Sequence, residues 1–314
     1  EIRELNDKEK EKIREAKKLG FSDSQISRLI KVSEEEVRAY RKKHSIVPVV
    51  KQIDTLAAEW PAKTNYLYLT YGGEKDDISF SNENKKKVVV LGAGTYRIGS
   101  SVEFDWSTMN LVWSLKKFGM DEVIVVNCNP ETVSTDYDMS DKLYFEELTL
   151  ERIYDIYEKE NPLGVVTCVG GQTANNLAPK LSKVGIRILG TEGENVDRAE
   201  DRAKFSSLLD ELGIPQPKWA KFSSIEEAKR FAESIGYPVI VRPSYVLGGA
   251  VMKVAWNHKQ LEEFLLRAAK VSKEHPVTVS KFITEAMEVE VDGVSDGTNV
   301  VIGAVIEHLE YAGI

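Results

Sequence analysis

The chain has 314 residues, 42% of them hydrophobic and 29% charged, with a formal net charge of −8. This length suffices for two or three domains, and the acidic balance argues against a general nucleic-acid coat or an anionic membrane surface. The two cysteines, Cys128 and Cys168, have no CxxC spacing and no histidine pair nearby, which argues against a disulfide framework or a zinc site and suits a reducing cytoplasm. No apolar run approaches the ~18 residues that span a bilayer, and no signal peptide is visible. The chain opens on Glu1 without a methionine and stops at Gly313-Ile314 with no polar tail, so it reads as part of a longer chain.

Residues 1 to about 45 read as short helices. Ile13, Ala16 and Leu19, then Ile26, Leu29 and Ile30, recur at helical spacing. Ser22-Asp-Ser-Gln25 and Ser33-Glu-Glu-Glu36 have the form of capping boxes. The pair also resembles a helix-turn-helix, but three glutamates at the start of the second helix would repel phosphate, so a small packing or oligomerisation bundle is the preferred reading. Tyr66, Tyr68 and Tyr71 suggest an extended segment packed on something. The polar stretch from Gly72 to Lys87 looks like a linker.

From Lys87 the pattern changes. Short apolar runs at Val88–Leu91, Val123–Val126, Val165–Val169 and Ile186–Leu189 alternate with helical segments at about 101–118, 149–159 and 173–183. That alternation predicts a parallel sheet covered on both faces. A second pattern begins near Asp197: helices at about 199–212 and after Ser223, then strands at Val239–Val241, Val277–Lys281, Glu288–Val291 and Val300–Val305. This mixture suits an α+β nucleotide-gripping domain. The fold class is therefore α/β, with a helical segment and linker over 1–84, a Rossmann-like parallel domain over 85–200, and an α+β domain from 201 to 314.

The first strand of the parallel pattern ends in Gly92-Ala-Gly-Thr-Tyr-Arg-Ile-Gly99, a turn that can face an anion. A dinucleotide site is disfavoured, because the third glycine is displaced from the GxGxxG spacing. The second strand also ends in Asn127 and Asn129 rather than an acid for a ribose hydroxyl. Asn129-Pro-Glu-Thr-Val-Ser-Thr-Asp136 and Gly170-Gly-Gln-Thr173 leave the sheet at the same carboxyl edge, where open α/β sheets bind ligands. Each turn alone is ordinary turn chemistry; three together point to a pocket. Arg242, at a strand end before Pro243, suits bidentate contact with phosphate, with a buried ion pair as its rival role. Val246-Leu-Gly-Gly-Ala250 reads as a loop whose amides can approach phosphates, though without the Lys-Ser or Lys-Thr pair of a P-loop. Glu288, Glu290 and Asp292 alternate on one strand face, either a solvated face or a partner for ribose hydroxyls or a cation. Lys281, at the end of another strand, is a candidate neighbour of adenine or phosphate. None of the four histidines has a nucleophile or ligand-spaced partner, so no hydrolase triad or metal cluster is assigned.

Arg97-Ile-Gly-Ser-Ser-Val-Glu-Phe-Asp105, Asn127-Cys-Asn-Pro-Glu-Thr-Val-Ser-Thr-Asp-Tyr-Asp138, Gly170-Gly-Gln-Thr173, Asp197-Arg-Ala-Glu-Asp-Arg202 and Arg242-Pro-Ser-Tyr-Val-Leu-Gly-Gly249 occur in that order. As a set they resemble the large subunit of the carbamoyl-phosphate synthetases, from about residue 10 onward, and specifically its second synthetase half. The resemblance implies the end of an oligomerisation domain, a pre-ATP-grasp domain and the first part of an ATP-grasp domain. It implies that Arg202 and catalytic Arg242 contact nucleotide phosphates, that Gly248 and Gly249 form a lid loop, that Lys281 and Ile283 border adenine, and that Glu288 holds the ribose. Gly313 and Ile314 would begin a further nucleotide loop, and the ligands for magnesium or manganese would follow beyond Ile314, which makes this stretch alone inactive. ATP is the implied nucleotide. The implied reaction is phosphorylation of carbamate, within an overall synthesis from glutamine or ammonia, bicarbonate and two ATP that feeds arginine and pyrimidine synthesis. The implied partners are a glutaminase small subunit and the first synthetase half, in an oligomer, with no nucleic acid and no membrane. The alternatives are another ATP-grasp carboxylase or ligase and a helix-turn-helix regulator.

Overall fold

The computed structural model describes residues 9–80, 85–97, 100–243, 252–271 and 277–309. These divide into two compact units, 1–200 and 201–314.

The first unit opens with three helices, α1 (Lys10–Lys18), α2 (Asp23–Ile30) and α3 (Glu34–Lys43). Ser22 and Ser33 form the reciprocal capping boxes that fix the starts of α2 and α3. The chain then enters β1 (Val49–Gln52) and β2 (Tyr66–Thr70), an antiparallel pair. Next come β3 (Lys87–Leu91), α4 (Val102–Lys117), β4 (Glu122–Asn127), β5 (Lys142–Phe145), α5 (Leu150–Glu160), β6 (Val165–Val166), α6 (Gly171–Asn175), α7 (Ala178–Lys183), β7 (Ile188–Leu189) and α8 (Gly193–Glu200). One seven-stranded sheet results, in the order β1-β2-β5-β4-β3-β6-β7, and every neighbouring pair except β1–β2 is parallel.

All five residues of β3 are buried, as a strand covered on both faces requires. Val89 and Leu91 face Ile153, Ile156 and Leu181 on one side. Val88 and Val90 face Met109 and Val112 of α4 on the other. The polar segment expected to be a linker is instead tied to this sheet. Asp76 accepts from the amide of Val50 at 2.6 Å and pairs with Lys159 of α5 at 2.9 Å, and Asp77 pairs with Lys51. Short carboxylate side chains there do what strand pairing does elsewhere, which an apolar periodicity cannot reveal.

The helix expected over 173–183 is two, because Pro179 in the first turn of α7 starts a new helix. The third apolar run pairs only at Val165–Val166, and the chain turns at Cys168 and Val169.

The second unit begins with α9 (Arg202–Glu211), separated from α8 by Asp201, whose carboxylate caps the amides of Ala203 and Lys204. The single helix expected near 199–212 is thereby divided. There follow β8 (Trp219–Phe222), α10 (Ile225–Ile235), β9 (Val239–Pro243), β10 (Lys253–Ala255), α11 (His258–Val271), β11 (Val277–Lys281), β12 (Val289–Ser295) and β13 (Val300–Glu307). Strands β10-β9-β11-β8 form a four-stranded antiparallel sheet, and β12–β13 a two-stranded one. Ala228 and Ala232 of α10 and Leu261 and Leu265 of α11 pack with Val239, Val241 and Val279 as the core of this unit.

Candidate functional site

Two regions gather the residues singled out above. At the carboxyl edge of the parallel sheet the three polar turns close on each other. Asn127 is fully buried; its Oδ1 accepts from the amides of Gly94 (3.0 Å) and Cys128 (2.8 Å), and its Nδ2 donates to Ser134 Oγ at 3.2 Å. A Cβ on Gly92 would stand 2.6 Å from Asn127 Nδ2, and one on Gly170 would meet the carbonyls of Gly92 and, at 2.5 Å, Leu91. Gly94 has φ +73°, open to glycine without strain. Thr135 Oγ1 donates to the carbonyls of Asn129 (2.9 Å) and Thr132 (2.7 Å), and Asp105 accepts from the Ser134 amide at 3.2 Å. The glycines and the Asn-Pro-Glu-Thr run therefore build the edge itself, each turn filling the next. What remains outward is Arg97, whose Nη2 donates to Thr173 Oγ1 at 2.8 Å, and the half-exposed Tyr96, whose hydroxyl meets that of Thr132 at 2.5 Å.

The other region lies in the second unit. Arg242 sits near the end of β9, opposite Thr278 of β11. It is half-buried, and its Nε is shielded with no hydrogen-bond partner among the described residues. Burial lowers its pKa, and the nearby positive charge of Arg202 lowers it further. Arg202 opens α9 just after the Asp201 cap. Two guanidinium groups thus lie close enough to repel, one of them taken partly out of water. Such a pair is unfavourable by itself and becomes favourable when an anion joins it. The rival role for Arg242, a buried ion pair, finds no carboxylate among the described residues.

The other assigned residues are placed as follows. Lys281 ends β11, and its Nζ donates to the carbonyls of Gly236 (3.0 Å) and Tyr237 (2.8 Å), so its ammonium steadies the approach to β9. Ile283 is exposed just beyond β11, and Glu288 is exposed just before β12, its carbonyl accepting from the His308 amide at 3.0 Å. Glu290 pairs with His308 Nε2 at 2.9 Å. Val289 and Val291, which alternate with the carboxylates, are exposed as well. Gly248, Gly249, Gly313 and Ile314 lie outside the described residues. No group of three or more His, Cys, Asp or Glu that could hold a metal ion occurs among the described residues.

Sequence reasoning missed a third cluster. Lys17 of α1 lies 3.0 Å from Asp23 and 2.6 Å from Glu151 of α5. Arg41 of α3 donates to both oxygens of Asp23, at 2.7 and 2.5 Å. Arg38 reaches Asp155 (2.6 Å) and Glu158 (2.7 Å), and Tyr71 donates to Glu151 at 3.1 Å. Burial would raise the pKa of Glu151, but Lys17, the Asp23 amide and Arg41 outweigh it and hold the carboxyl below its usual range. Burial raises that of Asp155 despite Arg38 and Arg41. Arg38 and Lys42 of α3, which a helix-turn-helix would turn to phosphate, are thus engaged with carboxylates of α5, and Arg41 with Asp23 of α2. The pairs that join these helices to α5, Lys17–Glu151 and Arg38–Asp155, link residues more than a hundred positions apart and leave no sequence signal.

Three family models match in succession. They are the oligomerisation domain of the carbamoyl-phosphate synthetase large chain over residues 1–45, the carbamoyl phosphate synthase preATP-grasp domain over 84–198, and the L-chain ATP binding domain over 201–309. The carbamoyl phosphate synthase large chain of Pyrococcus furiosus is 59% identical over 97% of this chain and 28% of its own length. The arginine-specific mitochondrial large chain of Neurospora crassa is 53% identical over 97% of this chain and 26% of its own. The multifunctional protein CAD of Squalus acanthias is 53% identical over 95% of this chain and 13% of its own. Among solved structures, a Campylobacter jejuni biotin carboxylase complex aligns with a TM-score of 0.55 at 20% identity, covering 71% of this chain and 51% of that one. The biotin carboxylase domain of Hydrogenobacter thermophilus 2-oxoglutarate carboxylase, in complex with MgADP, ADP and bicarbonate, aligns with 0.54 at 21% identity, covering 71% and 50%. These two establish likeness of fold. The chain spans less than a third of the large-chain relatives it matches, and with three consecutive domains of one protein in register along it, it belongs to the carbamoyl phosphate synthase large-chain family.

Proposed function

We propose that this chain is part of the synthetase half that phosphorylates carbamate. The observation that carries the reading is the juxtaposition of Arg242, half-buried and with an unpartnered Nε, with Arg202. That pair suits the phosphates of ATP, and a shielded guanidinium attracts developing phosphoryl charge more strongly than one in water. Gly248 and Gly249 would cover the phosphates, Lys281 and Ile283 would border adenine, Glu288 would hold the ribose, and Gly313 and Ile314 would begin a further nucleotide loop. Because the Lys281 ammonium is held by two carbonyls, its part at the base falls to its backbone and alkyl chain.

In the proposed reaction a carbamate oxygen attacks the γ-phosphorus of ATP in line, the bond to the ADP oxygen breaks, and carbamoyl phosphate and ADP result. Arg242 and Arg202 orient the triphosphate and offset its charge. Magnesium or manganese, when bound, would supply charge neutralisation at the phosphates. No cluster among the described residues fits a divalent ion, and no step here is routed through one. The two cysteines are free, which suits a reducing cytoplasm. No helix among the described residues is long and apolar enough to cross a membrane. A glutaminase subunit, the first synthetase half and an oligomeric assembly complete the proposed enzyme, whose product would feed arginine or pyrimidine synthesis.

The reverse reaction tests this directly. The full-length chain given carbamoyl phosphate and MgADP should form ATP, and Arg242→Ala should abolish most of that activity while bicarbonate-dependent ATP hydrolysis by the first half persists. No ATP from a folded, nucleotide-binding chain would exclude the reading, and equal loss of both activities in Arg242→Ala would remove Arg242 from this site.

A further inference from the structure

An open cavity of about 320 Å³ lies within the first unit, away from every residue assigned to the nucleotide. It is bounded by Gly20 and Ser22 of the α1–α2 turn, by Cys128, and by residues of the stretch from Phe145 to Arg152 that leads into α5. A volume of this order suits a small ligand. The wall holds donors with nothing to donate to. Arg152 gives Nε to Glu146 Oε2 at 3.2 Å, while its Nη1 is shielded from water and has no hydrogen-bond partner. The hydroxyls of Ser22 and Thr149 accept the amides of Gln25 (3.1 Å) and Arg152 (3.4 Å), and neither donates to another group among the described residues. Thr149 also caps α5, so the positive end of that helix dipole stands at the same wall.

The wall holds acid as well. Glu151 is satisfied by Lys17 and the Asp23 amide. Glu146 is buried and accepts from the Leu69 amide, whereas Glu147 is exposed and has no ion pair among the described residues. Burial pushes the Glu146 carboxyl above its usual range despite Arg152 and the Leu69 amide, and Glu147 pushes it further. Two carboxylates that repel are relieved by a positive group, and a shielded guanidinium nitrogen by a negative one. The remaining wall, Gly20, Cys128 and Phe145, is uncharged.

We propose that this cavity binds a small α-amino acid with a short, uncharged side chain. Its carboxylate meets Arg152 Nη1 and the hydroxyls of Ser22 and Thr149. Its ammonium meets Glu147 and Glu146, and its side chain packs on Phe145 and Cys128. A simple anion would leave the acid repulsion in place, and a simple cation would leave Arg152 unpaired, so a ligand carrying both charges answers the whole wall. The site uses none of the residues assigned to the nucleotide and stands whether or not the enzyme phosphorylates carbamate.

The test uses the full-length chain and probes of one shape. L-alanine carries both charges, propionate lacks the ammonium and ethylamine lacks the carboxylate. Calorimetric titration should show saturable binding of L-alanine, half-complete at about millimolar concentration or below. Propionate and ethylamine should each bind at least about tenfold more weakly, the worth of one charge-assisted contact. Glu147→Gln, an exposed change that keeps the fold, should weaken L-alanine about tenfold for the same reason, and Arg152→Met should abolish its saturable binding. Bound L-alanine should also slow amide exchange in peptides covering 20–22 and 145–152, which locates the site. Absence of saturable L-alanine binding, equal binding of either single-charge probe, unchanged affinity in Glu147→Gln, or slowed exchange confined to other parts of the chain overturns the proposal. None of these readouts uses turnover, so they fail separately from the ATP-forming assay.

Discussion

Replacing Arg41 with alanine should loosen the helical segment far more than any exposed charge in the same cluster. Arg41 is fully buried. It makes a two-pronged contact with Asp23 and donates Nη1 to the carbonyl of Ile46 at 3.0 Å. Without it, Asp23 keeps Lys17 at 3.0 Å, while the Ile46 carbonyl loses its guanidinium donor. Breaking a buried ion pair from one side costs about 3–5 kcal/mol, because the remaining charge stays out of water. The surviving Lys17 contact places this case near the lower end, about 3 kcal/mol. The apolar support is small, Ile13, Tyr40 and Ile46 against Tyr71, so little else resists opening. A local cost of that size corresponds to an increase on the order of a hundredfold in amide exchange where opening is local. Hydrogen exchange by mass spectrometry on peptides covering α1–α3 measures it. The control is Lys42→Ala, whose pair with Glu158 is largely exposed and is worth about 0–1 kcal/mol. Exchange in Arg41→Ala that stays within about fivefold of the parent, or no faster than in Lys42→Ala, would refute the argument that buried charge holds these helices.

Three further outcomes follow from the same structure. Arg242→Met should leave the nucleotide-free protein at least as stable as the parent, because it removes a half-buried charge facing Arg202. It should also weaken nucleotide binding about tenfold to a hundredfold, the worth of a charge-assisted contact; calorimetry and the nucleotide-induced rise in melting temperature read both. Gly170→Ala, whose Cβ would meet the carbonyls of Gly92 and Leu91, should destabilise the first unit by about 2 kcal/mol or more, since backbone cannot swing aside; urea denaturation measures it. Asp201→Ala should cost about 1 kcal/mol of α9 stability, the usual worth of an N-cap. The amides of Lys204 and Ala203 hold the Asp201 carboxyl below its usual range despite some burial. Its contribution is therefore present above the unfolded-state pKa and lost as pH falls through the lower folded value. The difference between parent and variant should vanish at the acid end of a pH series, and persistence there would point to something other than the ionised cap.

The strands legible in the sequence were those rich in valine and isoleucine, whether buried or, like β12 and β13, exposed. β3 and β4 read as unbroken apolar runs because both faces are covered, while β11, only partly buried, was bounded at Val277 and Lys281 by its alternating valines. β8 and β5, Trp219–Phe222 and Lys142–Phe145, mix charged and aromatic residues in four positions and offer no period to detect. The break between α8 and α9 rested on one carboxylate, and the division of α6 from α7 on one proline. At the sheet edge the motif residues were read as pointing to a pocket, and in the structure their principal work is internal: Asn127, Ser134 and Thr135 satisfy one another and the backbone. In the second unit Arg242 was legible as a charge at the end of an apolar strand. Its relation to Arg202, forty positions earlier, required the fold. The ion cluster under α1–α3 was illegible because lysines, arginines and glutamates in helices read as solvated faces until another helix covers them.

The passage from α3 to β1 is only His44 to Pro48, five residues between Lys43 and Val49. Fully extended it spans no more than about 18 Å. If the ion cluster under the helices opens, the bundle remains leashed to the sheet margin and searches a volume only a few nanometres across. The leash is shortened further at Ile46, which is buried and grips Arg41 through its carbonyl. Opening therefore resembles a hinged flap more than a departing domain, and its closure needs no diffusion from solution. Whatever pulls on these helices in a larger assembly is transmitted within one short stride of chain to β1 and, through β2, to the sheet itself.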